Sequence, residues 1–143
     1  MKKTWIWIVA LSLISCAGLY YYFQLNGPKI VQGSAALSES VDVQGKPIAP
    51  SKTFSSKAKA LYVSAKFKRF IAKGATVRWY KGETIVENRI KVDENIKLSK
   101  AGYAYSKLTA PPEGFTPGDY SVIVYSAGND VSEATIYFKI NEQ

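Results

Sequence analysis

The chain has no histidine, one cysteine and one methionine, and only 11 acidic residues against 19 basic ones. Without imidazole, Ser–His–Asp catalysis and histidine-based zinc or copper sites are excluded. The single thiol, Cys16, rules out an internal disulfide and any site built from several thiolates, so stability must come from an apolar core. The carboxylates are scattered. Asp93-Glu94 reads as part of a turn with Asn95, and Asp119 stands before Tyr120 at a strand start; neither forms a glycosidase-type pair. No run alternates Asp and Asn as a calcium loop does. These absences predict a protein that is not an enzyme and holds no cofactor and no metal.

Charge is also missing from residues Trp5 to Phe23, directly after Lys2-Lys3. Nineteen helical residues span roughly 28 Å, close to the hydrocarbon thickness of a bilayer. Trp5 and Trp7 stand at one end and Tyr20, Tyr21 and Tyr22 at the other, where amphipathic rings settle at the headgroups. The lysines before the run predict a cytoplasmic N-terminus and an extracytoplasmic remainder. Two other readings stay open. Leu13-Ile14-Ser15-Cys16 resembles a bacterial lipobox, which would make Cys16 a lipidation site and the chain a lipoprotein, an accessory subunit of an envelope complex. A cleaved secretory signal is the third, although no small-x-small pair is followed by polar sequence.

The predicted organisation is a cytoplasmic flank at 1–4, a transmembrane helix or signal anchor at 5–23, a linker at 24–56 and a β-domain at 57–143. Gly27-Pro28, Gly33, Gly45, Pro47 and Pro50 punctuate the linker, and Leu37 to Val43 within it has the character of an edge strand. In the domain, Leu61, Val63, Ala65 and Phe67 alternate with Tyr62, Ser64, Lys66 and Lys68, the period-two signature of a half-buried strand. Further strands are expected at 75–80, 84–92, 96–98, 102–108, from about 119 and at 131–140. Turns are expected at Lys81-Gly82-Glu83, Asp93-Glu94-Asn95 and Ala127-Gly128-Asn129-Asp130, and Phe115 is expected to plug one end of the core.

Trp79 on a strand, then Gly118-Asp119-Tyr120-Ser121-Val122, together with Thr53-Phe54, Leu61-Tyr62-Val63 and Phe138-Lys139-Ile140, resemble the disulfide-free immunoglobulin-like domains of exported bacterial proteins. The resemblance covers roughly residues 52–140. It implies an all-β, antiparallel Ig-like sandwich of about seven strands with Val63, Trp79, Tyr120, Val122 and Phe138 in the core. It also implies a tyrosine corner, in which the Tyr120 hydroxyl ties back to nearby backbone. The family is functionally mixed, so the resemblance implies fold and location more than activity.

Two motif echoes fail on context. Ser56-x-x-Lys59 matches the string of penicillin-recognising enzymes but leads into a strand rather than a helix. Lys73-Gly74-Ala75-Thr76 lacks the remaining phosphate-loop residues and reads as a hairpin turn between two strands.

The remaining signal is basic charge. If the strands at 60–68 and 75–80 pair, Tyr62, Lys66, Lys68, Arg78 and Tyr80 share one face. Such a face would attract anionic lipid, a wall polymer or an acidic envelope protein. Nucleic acid is a poor partner for an exported domain. Tyr103 and Tyr105 share a face and offer a glycan-binding alternative. The bland alternatives are lysines that solubilise a sheet and tyrosines in cross-strand pairs.

Overall fold

A computed structural model describes residues 2–142. One helix, α1 (Lys2–Asn26), precedes ten strand segments among the described residues: β1 (Ala36–Ser38), β2 (Ser40–Val41), β3 (Pro47–Ile48), β4 (Thr53–Ser55), β5 (Ala60–Lys66), β6 (Ala75–Lys81), β7 (Arg89–Ile96), β8 (Tyr103–Thr109), β9 (Gly118–Ser126) and β10 (Ser132–Asn141). The stretch Ile6–Phe23 of α1 has a mean hydropathy of 1.7 and is unburied, long and apolar enough to cross a bilayer. The helix stops where the Gly27 N–H bonds to the Phe23 carbonyl and Pro28 forbids continuation.

The strands form a three-stranded sheet, β1-β5-β8, a five-stranded sheet, β4-β10-β9-β6-β7, and the small β2-β3 hairpin. Pairing is antiparallel throughout except for β4, which runs parallel to β10. The two larger sheets share one core. The first contributes Leu37, Leu61, Val63, Ala65, Ala104 and Leu108; the second contributes Phe54, Val77, Trp79, Val122, Val124, Phe138 and Ile140. Phe115 is buried with them. Phe138 is the hub of the aromatic packing. Its ring stacks on Tyr120 at 5.5 Å and meets Trp79 at 6.1 Å and Phe54 at 6.0 Å edge-on. Such pairs add about 0.5–1.5 kcal/mol each to the gain from burial.

Several expectations need correction. The stretch 24–56 carries four short strands, and its Ile30, Leu37 and Phe54 are core residues, so the folded unit begins before residue 57. Strands of two or three residues are too short to display a period in the sequence. Asp93-Glu94-Asn95 is not a turn but the last part of β7. Asp93 is drawn into the strand by the Ser106 hydroxyl, which donates to its carboxylate at 2.5 Å, and by Lys91 at 2.8 Å. Asn95, at φ 56°, takes the left-handed conformation next to a bulge opposite Ala75 and Val77. Residues 86–88 form a 3-10 turn, so β7 starts only at Arg89. Finally, β5 and β6 lie in different sheets. The segment around Lys73-Gly74 is therefore a crossover between sheets and not a hairpin turn.

Candidate functional site

The crossover divides the basic face expected from the sequence. Tyr62 and Lys66 lie on the outer face of the three-stranded sheet, while Arg78 and Tyr80 lie on the outer face of the five-stranded sheet. Tyr80 is buried there beside Ile123 and Tyr125. The Arg78 guanidinium rests 4.6 Å from the centre of the Tyr125 ring, so its charge is engaged within the sheet. Lys68 follows β5 and donates its backbone N–H to the Lys29 carbonyl.

What the structure assembles instead is a face built from β5 and β8. The antiparallel register sets Tyr62 opposite Lys107, Ser64 opposite Tyr105 and Lys66 opposite Tyr103. Strand alternation turns all six away from the core, because Leu61, Val63 and Ala65 point inward. The Lys107 ammonium lies 5.8 Å from the Tyr62 ring centre and the Lys66 ammonium 5.8 Å from that of Tyr103. Tyr62 and Tyr105 approach diagonally, their centres 6.2 Å apart. Three phenols and two ammonium groups thus alternate over one sheet.

The β2-β3 hairpin straps the middle of this face. The Asp42 carboxylate accepts the Gln44 N–H at 2.8 Å and the Lys46 N–H at 2.9 Å, which fixes the turn. At its tip, buried Gly45 accepts a hydrogen bond from the buried Ser64 hydroxyl. Gly45 has φ 83°, and a Cβ there would stand 2.9 Å from Cδ1 of Tyr105. Only glycine lets the hairpin come down between Tyr103 and Tyr105.

Cys16 is an exposed residue of α1, and the helix continues beyond it to Asn26. The five residues expected in the core, Val63, Trp79, Tyr120, Val122 and Phe138, are all buried. The Tyr120 hydroxyl donates to the Thr116 carbonyl at 2.8 Å, the tie-back expected for a tyrosine corner. Burial pushes the Tyr120 hydroxyl above its ordinary range, opposed in part by this hydrogen bond. Among the described residues no three His, Cys, Asp or Glu side chains gather as a metal site.

Sequence reasoning had Tyr62 and Lys66 in one group and Tyr103 and Tyr105 in another. It missed Lys107 and Gly45. The signal for Lys107 was present: it shares the parity of Tyr103 and Tyr105.

No protein-family model and no curated protein matches the chain. Among solved structures it is similar to the crystal structure of the PmoD soluble domain from Methylocystis sp. ATCC 49242 (Rockwell). The identity is 9% and the TM-score 0.44, over 81% of this chain and 99% of that one.

Proposed function

We propose that the chain is a helix-anchored, extracytoplasmic interaction module without catalytic activity of its own, and that it binds an anionic envelope polymer. The observation that carries this reading is the grouping of Tyr62, Tyr103 and Tyr105 with Lys66 and Lys107 on the outer face of one sheet, with Lys66, Tyr105 and Lys107 exposed and Tyr62 and Tyr103 half-buried. Ammonium groups attract phosphate or carboxylate along a polymer, and phenol rings offer flat apolar faces and hydroxyls to its sugar or polyol units. A rigid sheet holds the five groups in fixed relation, which limits the ordering entropy that binding would cost.

The domain itself is an Ig-like sandwich on this proposal. Support comes from the first strand region, which serves both sheets, with β1 on β5 and β4 parallel to β10. Further support comes from the tyrosine corner on the penultimate strand and the buried Trp79 on the strand after the crossover. Lys2-Lys3 before the apolar run favour a cytoplasmic N-terminus, and the apolar sequence that continues past Cys16 to Phe23 favours an anchoring helix over lipidation.

The test is titration of the full chain, held in neutral nanodiscs, with long-chain polyphosphate. Binding is expected to weaken steeply with ionic strength and to be abolished by Lys66→Glu with Lys107→Glu. Equal binding of that double variant would remove the reading.

A further inference from the structure

The loop between β5 and β6 carries Lys68-Arg69-Phe70-Ile71-Ala72-Lys73. Phe70 at its tip is fully exposed, without an apolar neighbour to cover it, whereas Ala72 is turned into the core. Exposed single apolar residues are common; what distinguishes Phe70 is that three cations, Lys68, Arg69 and Lys73, flank it in the same loop.

The position of this loop is fixed by hydrogen bonds to the start of the domain. The Lys68 N–H donates to the Lys29 carbonyl at 2.8 Å, the Val31 N–H donates to the Lys66 carbonyl at 2.7 Å, and Ile30 bridges Phe67. Lys29 is the third residue beyond Asn26, where α1 ends. Three extended residues reach only about 10 Å. If α1 spans a bilayer, the Lys68 end of the loop therefore stands close to the headgroups, and Phe70 two residues on can reach them. The Arg69 guanidinium donates to the Lys100 carbonyl at 2.6 Å, which draws the Lys100 turn to the same end. The cations of this end are thus Lys29, Lys68, Arg69, Lys73 and Lys100. The acidic groups facing it are Glu133, which accepts the Lys29 N–H, and Asp130 in the turn that follows Ala127, whose N–H bonds to Gly74.

The geometry points to a membrane-docking loop. Phe70 enters the interfacial zone of the bilayer that α1 crosses, and Lys68, Arg69 and Lys73 contact anionic lipid headgroups. A single aromatic ring settles at the headgroup level, where amphipathic and aromatic side chains partition, and nearby cations gain from the negative surface potential. Two contacts, the helix and the loop, would fix the tilt of the domain and so the direction in which the Tyr–Lys face is presented. This docking uses a different surface from the polymer face, and either can stand without the other.

The experiment places Phe70→Trp in the full chain reconstituted into vesicles of phosphatidylcholine with phosphatidylglycerol, with lipids brominated near the headgroup as quenchers. The parent chain supplies the background of its native tryptophans. The expected result is an added, blue-shifted emission that brominated lipid quenches. It reverts to a water-exposed spectrum in pure phosphatidylcholine, and in the anionic vesicles when Lys68→Glu and Lys73→Glu are added. An emission typical of exposed indole in anionic vesicles overturns the inference. So does quenching that is indifferent to headgroup charge and to the charge reversals. A blue shift without lipid quenching, accompanied by a doubled particle mass, assigns Phe70 to contact with a second copy and also overturns it. Phe70 is exposed, so its replacement leaves the fold intact and each result bears on docking alone.

Discussion

The indole N–H of Trp79 donates to the hydroxyl of Ser106 at 2.7 Å, joining the interior strand β6 of one sheet to β8 of the other. The Ser106 hydroxyl in turn donates a hydrogen bond to the Asp93 carboxylate at 2.5 Å, and Lys91 forms an ion pair with Asp93 at 2.8 Å. One polar chain thus crosses from β6 through β8 to β7, at the edge where the three-stranded sheet lies against the last strand of its partner.

Because Trp79 is fully buried and its one polar atom is satisfied, Trp79→Ala is expected to destabilise the domain by about 3–5 kcal/mol. Ser106→Ala keeps the ring but orphans the buried indole N–H, while Asp93 keeps Lys91, at a cost of about 1–3 kcal/mol. Urea denaturation followed by the near-ultraviolet circular dichroism of the domain's tyrosines measures both. A Ser106→Ala variant as stable as the parent would show that the polar chain contributes nothing.

Tyr120 makes stability depend on alkaline pH. Its hydroxyl is held neutral by burial, so its folded pKa exceeds the ordinary value. The sign follows from linkage. Above the ordinary pKa the unfolded chain loses this proton while the folded chain retains it, so stability is full below that pH and declines as pH rises through the folded value. Tyr120→Phe should cost about 1 kcal/mol at neutral pH through loss of the bond to Thr116, and should flatten the alkaline decline. Thermal melts at neutral and alkaline pH, compared between the two proteins, provide the check.

Gly45→Ala should both strain the backbone and push Tyr105 aside. The left-handed φ alone costs about 1 kcal/mol, and the 2.9 Å approach adds to it. The expected outcome is a modest loss of stability with a displaced Tyr105 ring resonance, while the Trp79 indole signal stays unchanged. A shift at both sites would mean that the hairpin is coupled to the core and does not act as a strap on the outer face.

Apart from β7, the strands with seven or more residues were legible because alternation is a local property. Leu61, Val63 and Ala65 declare an inward face from the sequence alone, as do Val77 with Trp79 and Tyr120 with Val122 and Val124. Which strands pair is not a local property. Period two tells which way Lys66 and Arg78 point, but not that β5 and β6 belong to different sheets, and that one unknown scattered the expected basic face. The true face escaped because Lys107 sits 45 positions after Tyr62 and meets it only through register. Gly45 escaped because its role, a close approach to Tyr105, leaves no trace in neighbouring residues. Asp93 was misread because acidic residues are common in turns, and its partner Ser106 is remote in sequence.

The proposed function rests on α1 holding the β-domain outside the cytoplasm. Protease added to intact cells that express the full chain with a C-terminal epitope tests it most directly. The account predicts loss of the epitope with retention of a fragment spanning α1, before any permeabilisation. An epitope that survives in intact cells and disappears only once the membrane is opened would place the domain on the cytoplasmic side and contradict the account.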